Sequence, residues 1–127
     1  MVNYAEPAPD KLLLAIRQFN NRQWFECHET LEDLWMGETG EVRKLYQGIL
    51  QVSVALHHWE NRNFGGALSL LQSGVDHLSC VQPFCQQVDV LAFMLSVNKL
   101  LESLGRLGKD RMADLESSLI PYIELVS

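Results

Sequence analysis

Phe19-Asn20-Asn21-Arg22-Gln23-Trp24-Phe25-Glu26-Cys27-His28-Glu29-Thr30-Leu31 recurs in outline forty residues later as Trp59-Glu60-Asn61-Arg62-Asn63-Phe64-Gly65-Gly66-Ala67-Leu68-Ser69-Leu70-Leu71. Each copy ends an apolar-periodic stretch on an aromatic, turns on Asn-Arg and opens a second stretch with another aromatic. A small residue follows (Cys27, Ala67), and one turn later a leucine (Leu31, Leu71). Ile16 falls on Leu56 in the same register. Two helices joined by a tight turn, with a small residue where they approach, form the unit of tetratricopeptide-like hairpins. The competing explanation is chance agreement between two amphipathic hairpins.

Outward from this pair, apolar residues recur at i, i+3, i+4 and i+7, and nothing alternates like a strand. The pattern predicts helices at about Asp10–Asn20, Gln23–Met36, Glu41–Glu60, Phe64–Ser79, Cys85–Leu104 and Lys109–Val126. Breaks fall at Gly37 and Gly40, at Arg62–Asn63, at Pro83 and at Gly105/Gly108, and the last helix should bend or end near Pro121. Connections this short make neighbours antiparallel. The expected fold is all-α, five to six antiparallel helices as stacked helical hairpins, tetratricopeptide-like in part.

With 127 residues, the chain suits one domain, 1–127. Sixteen acids against ten bases leave a net charge of −6, with no Lys/Arg cluster. That excludes nucleic acid and anionic membranes as expected partners, because both are bound through phosphate neutralisation. The apolar run Val90–Val97 is far below the roughly 20 residues that span a bilayer. Met1–Asp10 does not read as a secretory signal. Three cysteines, Cys27, Cys80 and Cys85, without a C-x-x-C pair suit free thiols in a reducing compartment, so a cytoplasmic location is expected. His77 with Cys80 and Cys85 lacks ligand spacing, and no Ser/His/Asp arrangement or phosphate loop is visible. Gly65-Gly66 is read as close packing at a helix start.

The chemistry-bearing residues gather on one face. Trp24, Cys27, Leu31, Leu34 and Trp35 form the apolar stripe of the second helix, and His28 falls within it. Its counterpart in the second copy is Leu68, so His28 is predicted to be buried. Glu32 follows one turn on, Glu29 lies at the edge, and Glu26, Thr30 and Asp33 point to solvent. On the next helix His57 turns toward the core margin beside Tyr46, while Gln47, Gln51 and His58 form a polar row. A buried carboxylate needs a partner or a cation. His and Glu at i, i+4 converge as helical metal ligands do.

Three readings follow: a scaffold of hydrogen bonds, a ligand or partner pocket, or a site for zinc, iron or manganese. The metal version uses His28, Glu32 and His57 as ligands with Glu29 as general base of a hydrolase. The run His28-Glu29-Thr30-Leu31-Glu32 has Glu where zinc proteases carry the second His, which argues against proteolysis. Pocket walls would come from Trp35, Tyr46, Gln47, Gln51 and His58. A homodimer through Phe84, Phe93 and Met94 is a further expectation.

The series Phe25-x-x-His28-Glu29-x-Leu31-Glu32-x-Leu34-Trp35, Tyr46-Gln47-Gly48-Ile49-Leu50-Gln51, Ala55-Leu56-His57-His58 and Asn63-x-x-Gly66-Ala67-x-x-Leu70-Leu71 resembles the bacterial and archaeal family called domain of unknown function 309. The resemblance covers about residues 12 to 104, and no shared pattern follows residue 105. It implies a compact multihelical protein and no assigned activity. The family's signature falls on His28, Glu29, Glu32, Trp35, Gln47, Gly48, Gln51 and His57. The resulting expectation is a small helical protein that binds a small molecule or a protein around a central polar cluster.

Overall fold

A computed structural model describes residues 6–126 of the chain. Its helices are α1 (Asp10–Asn20), α2 (Trp24–Met36), α3 (Arg43–Glu60), α4 (Phe64–Leu78) and α5 (Val90–Arg111), with a short hairpin, β1 (Phe84–Cys85) and β2 (Val88–Asp89), before α5. The protein is all-α apart from this hairpin, and its first four helices lie within two residues of the expected bounds. Each helix packs chiefly on the next in chain order, α1 on α2 through to α4 on α5. No helix among the described residues is long and apolar enough to cross a membrane.

The two copies of the repeated unit turn alike. Helix α1 closes with Gln23 N donating to Gln18 O (2.9 Å) and Arg22 N to Phe19 O (2.9 Å). Helix α3 closes with Asn63 N to His58 O (2.8 Å) and Arg62 N to Trp59 O (3.0 Å). Both are Schellman closures. Arg22 and Arg62 take the left-handed position at φ 60° and 61°, where glycine is the usual choice. Beyond the turns, Cys27 and Ala67 are fully buried and Leu31 and Leu71 pack inside. The aromatics before the turns then part company. Phe19 sits edge-on to Trp24 (5.0 Å) and Phe93 (5.3 Å) in the core, whereas Trp59 donates its indole N–H to Met112 O at 2.8 Å.

The closest helix approach is between α3 and α4. A Cβ on Gly48 would lie 2.7 Å from Leu78 Cγ, and one on Gly74 would lie 2.8 Å from Val52 Cγ2 and 3.1 Å from Gly48 O. Gly65 has open space around it, and Gly66 lies against the side chain of Asn63, which caps α4 by accepting from Gly66 N at 3.0 Å. The close packing expected of Gly65-Gly66 therefore belongs to Gly48 and Gly74.

The C-terminal third departs from the sequence reading. The helix expected from Cys85 starts at Val90, because residues 84–89 form the β-hairpin. Its two-residue loop, Gln86 and Gln87, takes positive φ at both positions (47° and 69°), as type I′ hairpins require. Helix α5 runs through Gly105 and bends at Gly108, φ 75°. The helix expected at Lys109–Val126 is replaced by 3-10 turns at Met112–Asp114 and Ser117–Leu119 and an extended tail. Ile120 and Ile123 of that tail are buried. Asp89 N donates to Glu124 O (2.9 Å) and Val126 N to Gln87 O (2.7 Å), so the tail pairs with the hairpin. Backbone pairing and burial together outweigh the helical pattern of this segment. Phe93 and Met94, expected on a dimer surface, are buried, while Phe84, Leu91 and Leu95 are exposed.

Candidate functional site

Helices α2 and α3 leave a groove between them on the outer surface. At one end a hollow of about 200 Å³ is lined by Trp24, Phe25, His28, Val54 and His57. At the other, one of about 200 Å³ is lined by Glu32, Trp35, Gln47, Leu50 and Gln51. A shallow depression that shares Phe25, His28 and Glu32 and adds Glu29 and Asp33 joins them. Each helix supplies residues spaced by three or four: His28, Glu32 and Trp35 from α2, and Leu50, Val54 and His57 from α3. Because the helices run antiparallel, Trp35 shares a hollow with Gln47 and Phe25 shares one with His57.

Six of the residues singled out in the sequence, His28, Glu32, Trp35, Gln47, Gln51 and His57, therefore meet in this groove, with Glu29 on its rim. The structure corrects their burial. The side chain of His28 is 31% exposed and that of Glu32 50% exposed, and Nε2 of His28 lies 3.1 Å from Glu32 Oε2. Position 28 is half-buried, as is Leu68 at the equivalent place, so the cluster lines an open groove instead of an enclosed centre. His57 is exposed, and its Nε2 lies 3.2 Å from Asn61 Nδ2. The Phe25 ring stands 6.4 Å from the imidazoles of both His28 and His57. Among the described residues no three of His, Cys, Asp and Glu converge to hold a metal ion.

Two expected pocket residues lie elsewhere. Tyr46 is buried and donates its hydroxyl to Gln86 Oε1 at 2.7 Å, tying α3 to the β-hairpin loop. Burial pushes its phenol up to about 12, although the Gln86 hydrogen bond acts the other way. His58 is taken up in the turn, with its Nδ1 3.3 Å from Asn63 Nδ2. Both point off the groove because they occupy other rows of α3.

Gln51 is held from α4. Its Oε1 accepts from Ser73 Oγ (3.1 Å) and lies 2.8 Å from His77 Nδ1, which is also 2.9 Å from Ser73 O. A carbonyl oxygen accepts only, so Nδ1 carries the proton. The Gln51 carbonyl is thereby turned to α4. This role for Ser73 and His77 has no signal in the sequence. Trp35 is gripped by Arg43, whose guanidinium stacks 3.8 Å from the ring centroid while its Nε donates to Trp35 O at 3.2 Å. Among the described residues the buried indole N–H groups of Trp24 and Trp35 have no hydrogen-bond partner. Each tryptophan lines one hollow, but its indole nitrogen is closed to solvent, and buried donors are ordinarily satisfied.

Cys27, behind the groove, is no nucleophile. Burial raises its thiol to about 12, against a weaker opposite effect of the Ser53 hydrogen bond.

Among known proteins, the chain is 32% identical over 107 residues to the uncharacterized protein YpuF of Bacillus subtilis (strain 168), a match covering 84% of this chain and 52% of YpuF. It is 29% identical over 68 residues to an uncharacterized protein of Aquifex aeolicus (strain VF5), covering 52% of this chain and 20% of that protein. The chain thus spans about half of YpuF and less of the other. The family match begins at residue 12, as the motif series implied, and ends at residue 70, short of the residue 104 to which the resemblance reaches. Over residues 12–70, from α1 into α4 and including the groove residues named above, the chain matches the family described as domain of unknown function (DUF309).

Proposed function

We propose that this protein is a cytoplasmic binding module whose recognition surface is the α2/α3 groove. One observation carries the reading: Trp24 and Trp35, whose buried indole N–H groups have no partner among the described residues, line the two hollows into which the sequence-marked polar residues converge. Both indole nitrogens are closed to solvent in the free chain, so a ligand carbonyl or carboxamide oxygen would satisfy such a donor once a small shift of the tryptophan opens it to the hollow. Gln51, held from α4 through its carbonyl, lines the same hollow as Trp35. The net charge of −6 makes nucleic acid an unfavourable partner. Homodimerisation, proposed separately, falls to the exposed Phe84, Leu91 and Leu95, and sedimentation equilibrium tests it.

Titrating the isotope-labelled protein with a set of carbonyl-bearing aromatic fragments tests the groove. The indole resonances of Trp24 and Trp35 are expected to shift, while that of Trp59, bonded to Met112 O, stays still. Shifts confined to other hollows, or none at fragment concentrations up to solubility, would remove the proposal.

A divalent ion on His28 and Glu32 is the second reading, favoured only by their 3.1 Å approach. Two protein ligands do not make the three-ligand site expected with His57, and no catalytic step is derived through Glu29. Adding zinc, iron or manganese to the purified chain and finding no change in melting temperature would dispose of it.

A further inference from the structure

Resting on the groove reading, we propose its occupant: a basic amphipathic helix of a partner protein. On the outer edge of the groove, α2 presents Phe25, Glu29, Glu32 and Met36 at i, i+4, i+7 and i+11, a single exposed row with apolar ends and two carboxylates between. Phe25 is 56% and Met36 69% exposed, so both are open to contact with a partner. Glu26 and Asp33 extend the acidic surface, and α2 carries no Lys or Arg. Among the described residues the basic partners of these acids are Lys11, 3.6 Å from Asp33, and His28, 3.1 Å from Glu32. The last turn of α2 has no basic residue of its own, and Arg43 of α3 meets its carbonyl end by donating to Trp35 O.

The dimensions fit a helix. Phe25 to Met36 covers about three turns, roughly 16 Å at the α-helical rise. A partner helix reads such a groove through apolar residues at i, i+4 and i+7, entering at the Phe25–Val54 and Trp35–Leu50 hollows. Its Lys or Arg residues then face Glu29, Glu32 and Asp33. Arg43, stacked on Trp35, makes the far end unfavourable for a cation and so sets where the basic residues of the partner fall.

The full chain is titrated with a helical peptide of about fifteen residues carrying Leu at i, i+4, i+7 and i+11 and Lys on its flanks. A second peptide replaces every Lys with Glu, and a third keeps Lys and replaces Leu with Ala. The Trp24, Trp35 and Trp59 indole resonances report place and affinity. The first peptide is expected to bind at least tenfold more tightly than the other two, to weaken with added salt, and to lose roughly threefold to tenfold on Glu29→Gln/Glu32→Gln, both exposed substitutions. Equal binding of the Lys and Glu peptides overturns the basic partner and leaves the groove reading standing. Fragments shifting Trp24 and Trp35 while no peptide does overturns the helix in favour of a small ligand. Silence of both probes removes groove and occupant together.

Discussion

At the level of single residues, one arginine and three buried weak acids make testable demands. Arg62 occupies a left-handed position at φ 61° that costs an L-residue about 1–2 kcal/mol. Arg62→Gly removes that strain and returns part of the gain as unfolded-state freedom, so urea denaturation should show stabilisation of about 0.5–1 kcal/mol. Burial raises the Cys27 thiol from 9.0 to about 12 and the Cys85 thiol from 9.0 to about 11, with a coulombic push from Glu6 adding to the latter. Tyr46 moves from 10.0 to about 12. Each folded pKa lies above the unfolded one, so the folded chain holds these protons where the unfolded chain has released them. Their contribution is complete below about pH 9 and is lost as pH climbs toward 12. Thermal melts should be flat in this respect up to pH 9 and fall steeply above it. A melting temperature rising between pH 9 and 11 would contradict the assignment.

Helix packing makes opposite demands on chemically identical substitutions. Gly74→Ala puts a methyl 2.8 Å from Val52 and 3.1 Å from the Gly48 carbonyl oxygen. The clash should outweigh the roughly 1 kcal/mol by which alanine favours a helix and destabilise by about 1–3 kcal/mol. Gly105→Ala meets nothing within 4 Å and should stabilise α5 by about 0.5–1 kcal/mol. Paired denaturant curves with opposite displacements are the expected result. At this scale α1 to α4 were readable because each has its own apolar stripe and a marked end. The hairpin was not, since Gln86-Gln87 carries none of the Asn-Gly chemistry that announces a type I′ turn. What holds it lies elsewhere in the chain: Tyr46 on Gln86, and the tail on β2.

For the molecule as a whole, closure depends on the tail reaching back to its start. Asn20 at the end of α1 donates through Nδ2 to Ile123 O at 3.0 Å and accepts from Ile123 N at 2.8 Å. Asn20→Ala leaves both groups of the buried Ile123 backbone without their partner and should cost about 1–3 kcal/mol. Hydrogen exchange should quicken first at Asp89 and Val126, whose amides bond across this junction, and not in α2 or α3. Uniform acceleration along the chain would mean the tail is not a separate closing element.

The amino-acid order by itself settled the helical class, the first four helices and the twin Asn-Arg turns; of the polar residues it marked on α2 and α3, it wrongly counted Tyr46 and His58 with those that line the groove. Local periodicity and turn chemistry carry that information, and both act within a few residues of each other. That His28, Glu32 and His57 lie along an open groove and not in a closed centre was decided by the packing of α2 on α3, which leaves His28 and Glu32 partly exposed and His57 exposed. The same holds for Tyr46, drawn away by Gln86, and for the tail, whose helical pattern gives way to backbone pairing with a hairpin more than thirty residues earlier.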